Sequence, residues 1–212
     1  MNVRIKICRI IHPDDAESAI GAGADLLGLN FVPSSPRCLD LKMAVAIAER
    51  VAGRVELVGV FQNAEHEEID RVLRRVDLDR LQFHGEESEE QVESVDLPVI
   101  KAIRGADKEA AEQYPGTMLL LDHPTEGGGR GKPWKWSDAA ELIESGCDVI
   151  LGGGLDPENV GGALADLGDL LPWGVDVASG VEGNGHRKDS EKIARFVKAV
   201  RAAEAPESGE KK

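Results

Sequence analysis

The sequence predicts an α/β protein folded as a single (β/α)8 barrel, and three observations carry that expectation. Short apolar, β-branched runs alternate with amphipathic segments along the chain, the pattern of a parallel sheet with helical crossovers. Eight such units follow one another at a spacing of roughly 25 residues, which suits a closed barrel better than an open doubly wound sheet. No shift in composition divides the 212 residues. One domain over 1–204 is therefore expected, with the charged, small-residue tail "APESGEKK" (205–212) disordered.

The first strand, "VRIKIC" (3–8), places Ile5 and Ile7 on one face and Lys6 and Cys8 on the other. A lysine facing inward costs free energy unless it is paired or lines a cavity; the plainer reading is an edge strand with a solvated lysine and an inert thiol. A helix near 14–22 follows. The second strand, "LLGLNF" (26–31), runs into "VPSSPR" and a helix near 40–52. Arg37 in that loop has the forked guanidinium that grips a carboxylate, or else is an ordinary surface arginine. "VELVGVF" (55–61) ends at Gln62 and Asn63, before a helix near 64–75. "LDRLQF" (78–83) ends at His84 and Gly85, before a helix near 87–94. His84 either contacts a substrate or makes a structural hydrogen bond.

"PVIKAI" (98–103) ends at Arg104, ahead of a helix near 107–113. "TMLLLD" (117–122) is apolar up to Asp122, a general-acid candidate if its surroundings raise its pKa, and otherwise a turn or cap residue. Trp134 and Trp136 open a helix near 136–145 and are expected to pack on the barrel. "DVILG" (148–152) leads into "LGGGLDPENV", where Asp156 and Pro157 suit the N-cap and first position of a helix near 157–166. Pro172 marks a loop boundary before "WGVDVA" (173–178), which leads into "VDVASGVEGNG" and a last helix near 189–202.

In such a barrel, function gathers at the C-terminal ends of the strands. The glycine-rich seventh and eighth loops offer backbone N–H groups to an anion, with Gly153, Gly154, Ser179 and Gly180 as the contact positions. Tight turns alone are the competing explanation. Cys8 needs a lowered pKa to act as a base, and Lys6 beside it is a cation able to supply that. Two other glycine readings fail: "GGGRGKPW" has Glu126 where a Walker loop needs its first glycine, and "GGGLDP" lacks the third glycine of a dinucleotide fingerprint.

Composition excludes several classes. With 39 acidic against 25 basic residues the net charge is −14, a field that repels nucleic acid and anionic membranes. The acids lie along helix-like segments such as "AEHEEID" and "GEESEEQVES", which points to a solvated outer surface and makes a high-salt cytoplasm a plausible setting. Three scattered cysteines, Cys8, Cys38 and Cys147, support neither a disulfide framework nor a zinc site, and no metal is expected. There is no signal peptide, and no apolar run approaches the roughly 20 residues of a membrane span, so a reduced cytoplasm is expected.

At these residues the sequence resembles the phosphoribosylanthranilate isomerases of tryptophan biosynthesis, over about residues 4–200. "KIC", "GADLLGLNF", "SPR", "VGVFQN", "LQFHG", "VIKAI", "GGRGKPWKW", "LGGGLDPENV" and "VDVASGVE" occur in the family's order, on successive strand ends. The resemblance implies an Amadori rearrangement of a small phosphorylated substrate, in a monomer or homodimer, without metal or organic cofactor. It implies Asp122 as general acid, Cys8 as general base and Arg37 as the anthranilate carboxylate's partner. It also implies the loops at 152–154 and 179–180 as the phosphate site, with Lys6 as a supporting cation, while His84 stays a candidate substrate contact from its place on the rim. Three positions depart from the family pattern: Arg9 stands in place of a glycine after the cysteine, Arg130 in place of a threonine or serine in the sixth loop, and Ala178 in place of a serine in the eighth. A related phosphosugar aldose–ketose isomerase shares the base, acid and phosphate loops and remains an alternative. So does a non-catalytic phosphoribosyl-ligand binder, against which the presence of both Cys8 and Asp122 counts.

Overall fold

Parallel pairing runs unbroken through eight strands, each bonded to the next and the last to the first, in a computed structural model that describes residues 2–124 and 134–204. The expected disordered tail at 205–212 and Arg130 of the sixth loop lie outside the described residues. In chain order the elements are β1 (Arg4–Ile7), α1 (Pro13–Ala22), β2 (Leu26–Asn30), α2 (Leu41–Val51), β3 (Glu56–Phe61) and α3 (His66–Leu73). They continue with β4 (Arg80–Phe83), α4 (Glu89–Glu93), β5 (Val99–Arg104), α5 (Lys108–Glu112), β6 (Met118–Asp122) and α6 (Ala140–Glu144). β7 (Val149–Leu151), α7 (Val160–Ala165), β8 (Gly174–Val177) and α8 (Ser190–Glu204) complete the barrel.

The alternation of each strand divides the core in two. Outward-facing residues, among them Ile5, Ile7, Leu27, Leu29, Leu119 and Leu121, pack against the helices in one large cluster with Phe196 and Ile193 of α8. Burying each such side chain contributes about 1.5–3 kcal/mol. Leu26, Val58, Ile100, Leu120 and Ile150 form a separate apolar layer, to which β2, β3, β5, β6 and β7 each contribute. Trp173, at the foot of β8, packs against that layer. The Arg4 and Arg80 guanidiniums stand 5.0 and 5.6 Å from its ring, and both pair with Glu56. This end of the barrel is a structural plug; the chemistry-bearing residues lie at the other.

Helix starts are set by polar caps: Asp40 accepts from the Met43 N–H, Ser88 from the Gln91 N–H and Asp107 from the Ala110 N–H. Two boundaries differ from the sequence expectation. The segment near 136–145 opens as a 3-10 turn, Trp136–Ala139, before α6. The Trp134 and Trp136 indole N–H groups both donate to the Gly152 carbonyl, so this turn does more than pack: it ties the sixth loop to the end of β7. α7 begins at Val160 rather than Pro157. Asp156 still caps, but it caps the turn leading into the helix, accepting from the N–H groups of Glu158 and Asn159.

Candidate active site

The strand ends enclose a cavity of about 360 Å³, lined by Cys8, Arg9, Arg37, Gln82, His84, Asp122, Gly153, Gly154 and Ser179 among others. This is in the size range of small-ligand sites. The structure thus gathers seven of the nine sequence-predicted site residues. Lys6 and Gly180 are the exceptions.

Cys8 lies one residue beyond β1, with its N–H donating to the Val177 carbonyl, which holds it against β8. Its thiol has room because β2 carries a glycine opposite: a Cβ on Gly28 would stand 2.7 Å from the Cys8 Sγ. Lys6 is 1% exposed and does not line the cavity. Its Nζ donates to Asp176 of β8 at 2.6 Å. Burial pushes its pKa down, but the charges of Asp176 and Cys8 outweigh that and hold it above the ordinary lysine range. Lys6 is therefore a buried, compensated ammonium outside the cavity lining, with its charge paired to a strand neighbour.

Asp122 closes β6, which is separated from β8 by β7 alone, and lines the same cavity. Its Oδ2 accepts from the His84 Nε2 at 3.0 Å, and the Gln82 Nε2 approaches the His84 Nδ1 at 2.8 Å. Burial alone pushes the Asp122 carboxyl up; the His84 hydrogen bond and charge, the His123 backbone N–H and the Arg9 charge together bring it below the ordinary value. Burial alone would meet the condition that the sequence sets for a general acid at Asp122, and the groups around it act against burial.

Arg37 reaches the cavity from the second loop with its guanidinium fork fixed by Glu182, Nε to Oε1 at 2.7 Å and Nη2 to Oε2 at 2.6 Å. Burial pushes Glu182 up, but Arg37, Lys188 and His186 overcome that and hold it below the ordinary carboxylate range. Lys188 is buried beside it, donating to the Ala178 carbonyl at 2.8 Å, and burial lowers its pKa despite Glu182. Sequence reading missed Gln82, Asp176, Glu182 and Lys188. Asp176 alone left a signal, an acid in the middle of an apolar strand matching a lysine in another.

The two glycine loops meet backbone to backbone. A Cβ on Gly180 would stand 2.2 Å from the Leu155 carbonyl oxygen, so Gly180 serves loop contact while its neighbour Ser179 faces the cavity. Gly153 has φ +73, and a Cβ there would meet the His123 N at 2.5 Å. Among the described residues no group of three or more His, Cys, Asp or Glu is placed to hold a metal ion.

A sequence model of the family described as N-(5'phosphoribosyl)anthranilate (PRA) isomerase matches residues 5–199. The chain belongs to the PRA isomerase family. Relatives named N-(5'-phosphoribosyl)anthranilate isomerase include that of Myxococcus xanthus, 41% identical over 210 residues, covering 95% of this chain and 98% of the relative. That of Pseudomonas fluorescens is 43% identical, covering 94% and 96%. The PRA isomerase structure from Thermotoga maritima is similar at a TM-score of 0.86 and 36% identity, covering 94% of this chain and 99% of that one. Another PRA isomerase structure, 34% identical with a TM-score of 0.84 and the same coverages, is in complex with reduced 1-(o-carboxyphenylamino)-1-deoxyribulose 5-phosphate. Of the departures from the PRA isomerase pattern, Arg9 sits at φ +62, the left-handed backbone region that glycine adopts without strain, and lines the cavity beside Cys8. Ala178 lines it too, and its carbonyl, not a side chain, engages Lys188.

Proposed function

We propose that the protein isomerises N-(5-phosphoribosyl)anthranilate to 1-(2-carboxyphenylamino)-1-deoxyribulose 5-phosphate, in tryptophan biosynthesis. The observation that carries the reading is the placement of Cys8 and Asp122 on one cavity, with Arg37 and the two glycine loops around them, in a chain of this family. The phosphate is held by the backbone of Gly153 and Gly154 and by Ser179, where neutral donors accept an anion that the acidic surface would repel. Arg37, clamped on one edge by Glu182, offers its remaining Nη1 edge to the anthranilate carboxylate.

Chemistry follows from the two titratable groups. Asp122 gives its proton to the ribose ring oxygen as the C1–O bond breaks and the nitrogen lone pair closes a C1=N bond. Cys8, as thiolate, removes the proton at C2, and the resulting enolamine tautomerises to the ketone. Each acid–base group contributes about 10²–10⁴-fold. No cofactor and no nucleic-acid or membrane partner enters this reading. Among the described residues no helix is long and apolar enough to cross a membrane. We place the enzyme in the cytoplasm, where its free thiols stay reduced, as a monomer or homodimer.

An assay with phosphoribosylanthranilate generated in situ tests the reading. Wild type is expected to turn over, while Cys8→Ala and Asp122→Asn each lose about 10²–10⁴-fold in kcat and still bind a reduced product analogue. Normal turnover by both variants would move the base and acid elsewhere on the cavity.

A further inference from the structure

The reading of Asp122 as the acid meets a difficulty in its own surroundings. A carboxyl donates a proton only if it holds one, and a protonated His84 at 3.0 Å keeps it ionised. Whether Asp122 can serve depends on the charge state of His84, and therefore on what faces the other ring nitrogen. That group is Gln82, which is 1% exposed on the same strand, with its Nε2 at 2.8 Å from the His84 Nδ1.

We infer that Gln82 is a positioning residue for the acid: its amide N–H donates to the His84 Nδ1, holding the ring as the neutral Nε2–H tautomer, so that the one proton the His84–Asp122 pair can release rests on Asp122. The inference rests on Asp122 being the general acid. An imidazolium needs an acceptor at Nδ1, and an amide N–H there is a donor. Protonating the ring would therefore require the Gln82 amide to turn over and present its oxygen. The amide oxygen has no hydrogen-bond partner among the described residues, so the contact of Nε2 with the ring is what orients this buried amide in the structure. A buried carbonyl left unpaired is an unusual cost, and the contact at Nδ1 is what it accompanies. When Asp122 has delivered its proton to the ring oxygen, the His84 Nε2–H remains as donor to the new carboxylate. The proton count balances with no net change on the imidazole.

Other charges face this pair. Cys8 and Arg9 approach from the end of β1, Asp176 lines the cavity from β8 and Arg37 from the second loop. Arg104, His123 and Glu86 border a neighbouring recess that shares His84 and Asp122. The test must therefore read the pair itself. Ring 15N shifts of His84, assigned with a His84→Asn variant, are expected to show Nε2 protonated and Nδ1 bare at neutral pH in the wild type. Gln82→Glu supplies an acceptor and is expected to put a proton on Nδ1. It should lower kcat about tenfold to a hundredfold, within the contribution of a positioned acid, with KM little changed. It should also move the alkaline limb of kcat/KM to lower pH, because the imidazolium lies against Asp122 while the compensating new carboxylate lies beyond the ring, on its other nitrogen. Gln82→Met offers neither donor nor acceptor, so kcat falls while the limb stays.

An unmoved limb in Gln82→Glu, or a wild-type ring already protonated on Nδ1 at neutral pH, overturns the inference. The second measurement needs no variant at position 82 to fold. Asp122→Asn in the same assay separates the two ideas: if it keeps normal turnover, the assignment of the acid fails, whatever Gln82 does.

Discussion

Arg9 is the residue whose identity most alters the local balance of charge. It occupies a left-handed backbone at φ +62, lines the cavity next to Cys8, and its charge contributes to lowering Asp122. The Arg9 charge favours the ionised Asp122 carboxyl, so the limb of kcat/KM that follows protonated Asp122 lies at lower pH than burial beside a neutral His84 would place it. Arg9→Gly removes one of the depressing charges and relieves the backbone, so the limb is expected to move to higher pH, with a smaller shift in concentrated salt. A pH series at two salt concentrations measures it. Gly28 makes a second prediction at this scale. Its missing Cβ is the space the Cys8 Sγ occupies, so Gly28→Ala overpacks the site at a cost of about 1–3 kcal/mol. Turnover should fall while KM changes little, and thiol alkylation mapped to Cys8 should slow.

Between elements, the tightest connection at the site joins the second loop to the eighth through Arg37 and Glu182. Removing one member of a buried pair leaves the other uncompensated at about 3–5 kcal/mol. Glu182→Gln strands both Arg37 and Lys188, so the midpoint of urea unfolding should drop and KM should rise more than kcat falls. A KM that stays put would mean that Arg37 is held without the fork. At this scale the sequence is readable in one direction only. Cys8, Arg37, His84 and Asp122 could be picked out because each sits at a strand end that the alternating pattern locates. Glu182, Lys188 and Gln82 could not, because their meaning lies in a partner. The Glu182 partner is 145 residues away, and Gln82 reads as an ordinary polar residue in "LDRLQF" until the register sets it beneath His84. The late start of α7 was hidden for a similar reason. Asp156 caps whatever follows it, and a turn satisfies it as well as a helix does.

For the whole molecule the charge of −14 matters more than any single ion pair. Several acids are paired: Glu17 with Arg50 and Arg54, Glu56 with Arg4 and Arg80, and Glu158 with Arg195. Glu17 is held at about 2 chiefly by Arg54, so its share of stability is present above the ordinary carboxylate value and is lost as pH falls toward about 2. The excess of acids over bases still leaves net repulsion at neutral pH, which salt screens. The thermal midpoint is expected to rise with KCl up to molar concentrations. A flat midpoint in a calorimetric series would mean that pairing has already cancelled the repulsion.

The pairing of Lys6 with Asp176 has a consequence for the order of events during synthesis. The two residues are 170 positions apart, on the first and last strands, and the ammonium has no place in the interior without its carboxylate. The beginning of the chain is sewn to the end again where Arg201 donates to the Val3 carbonyl and the Glu204 carboxylate accepts from the Val3 N–H. A growing chain therefore cannot settle its first strand until the last one has emerged. A ribosome-arrested fragment ending at residue 170 should leave "RIKI" open to protease and to amide exchange, while the full chain protects both ends together.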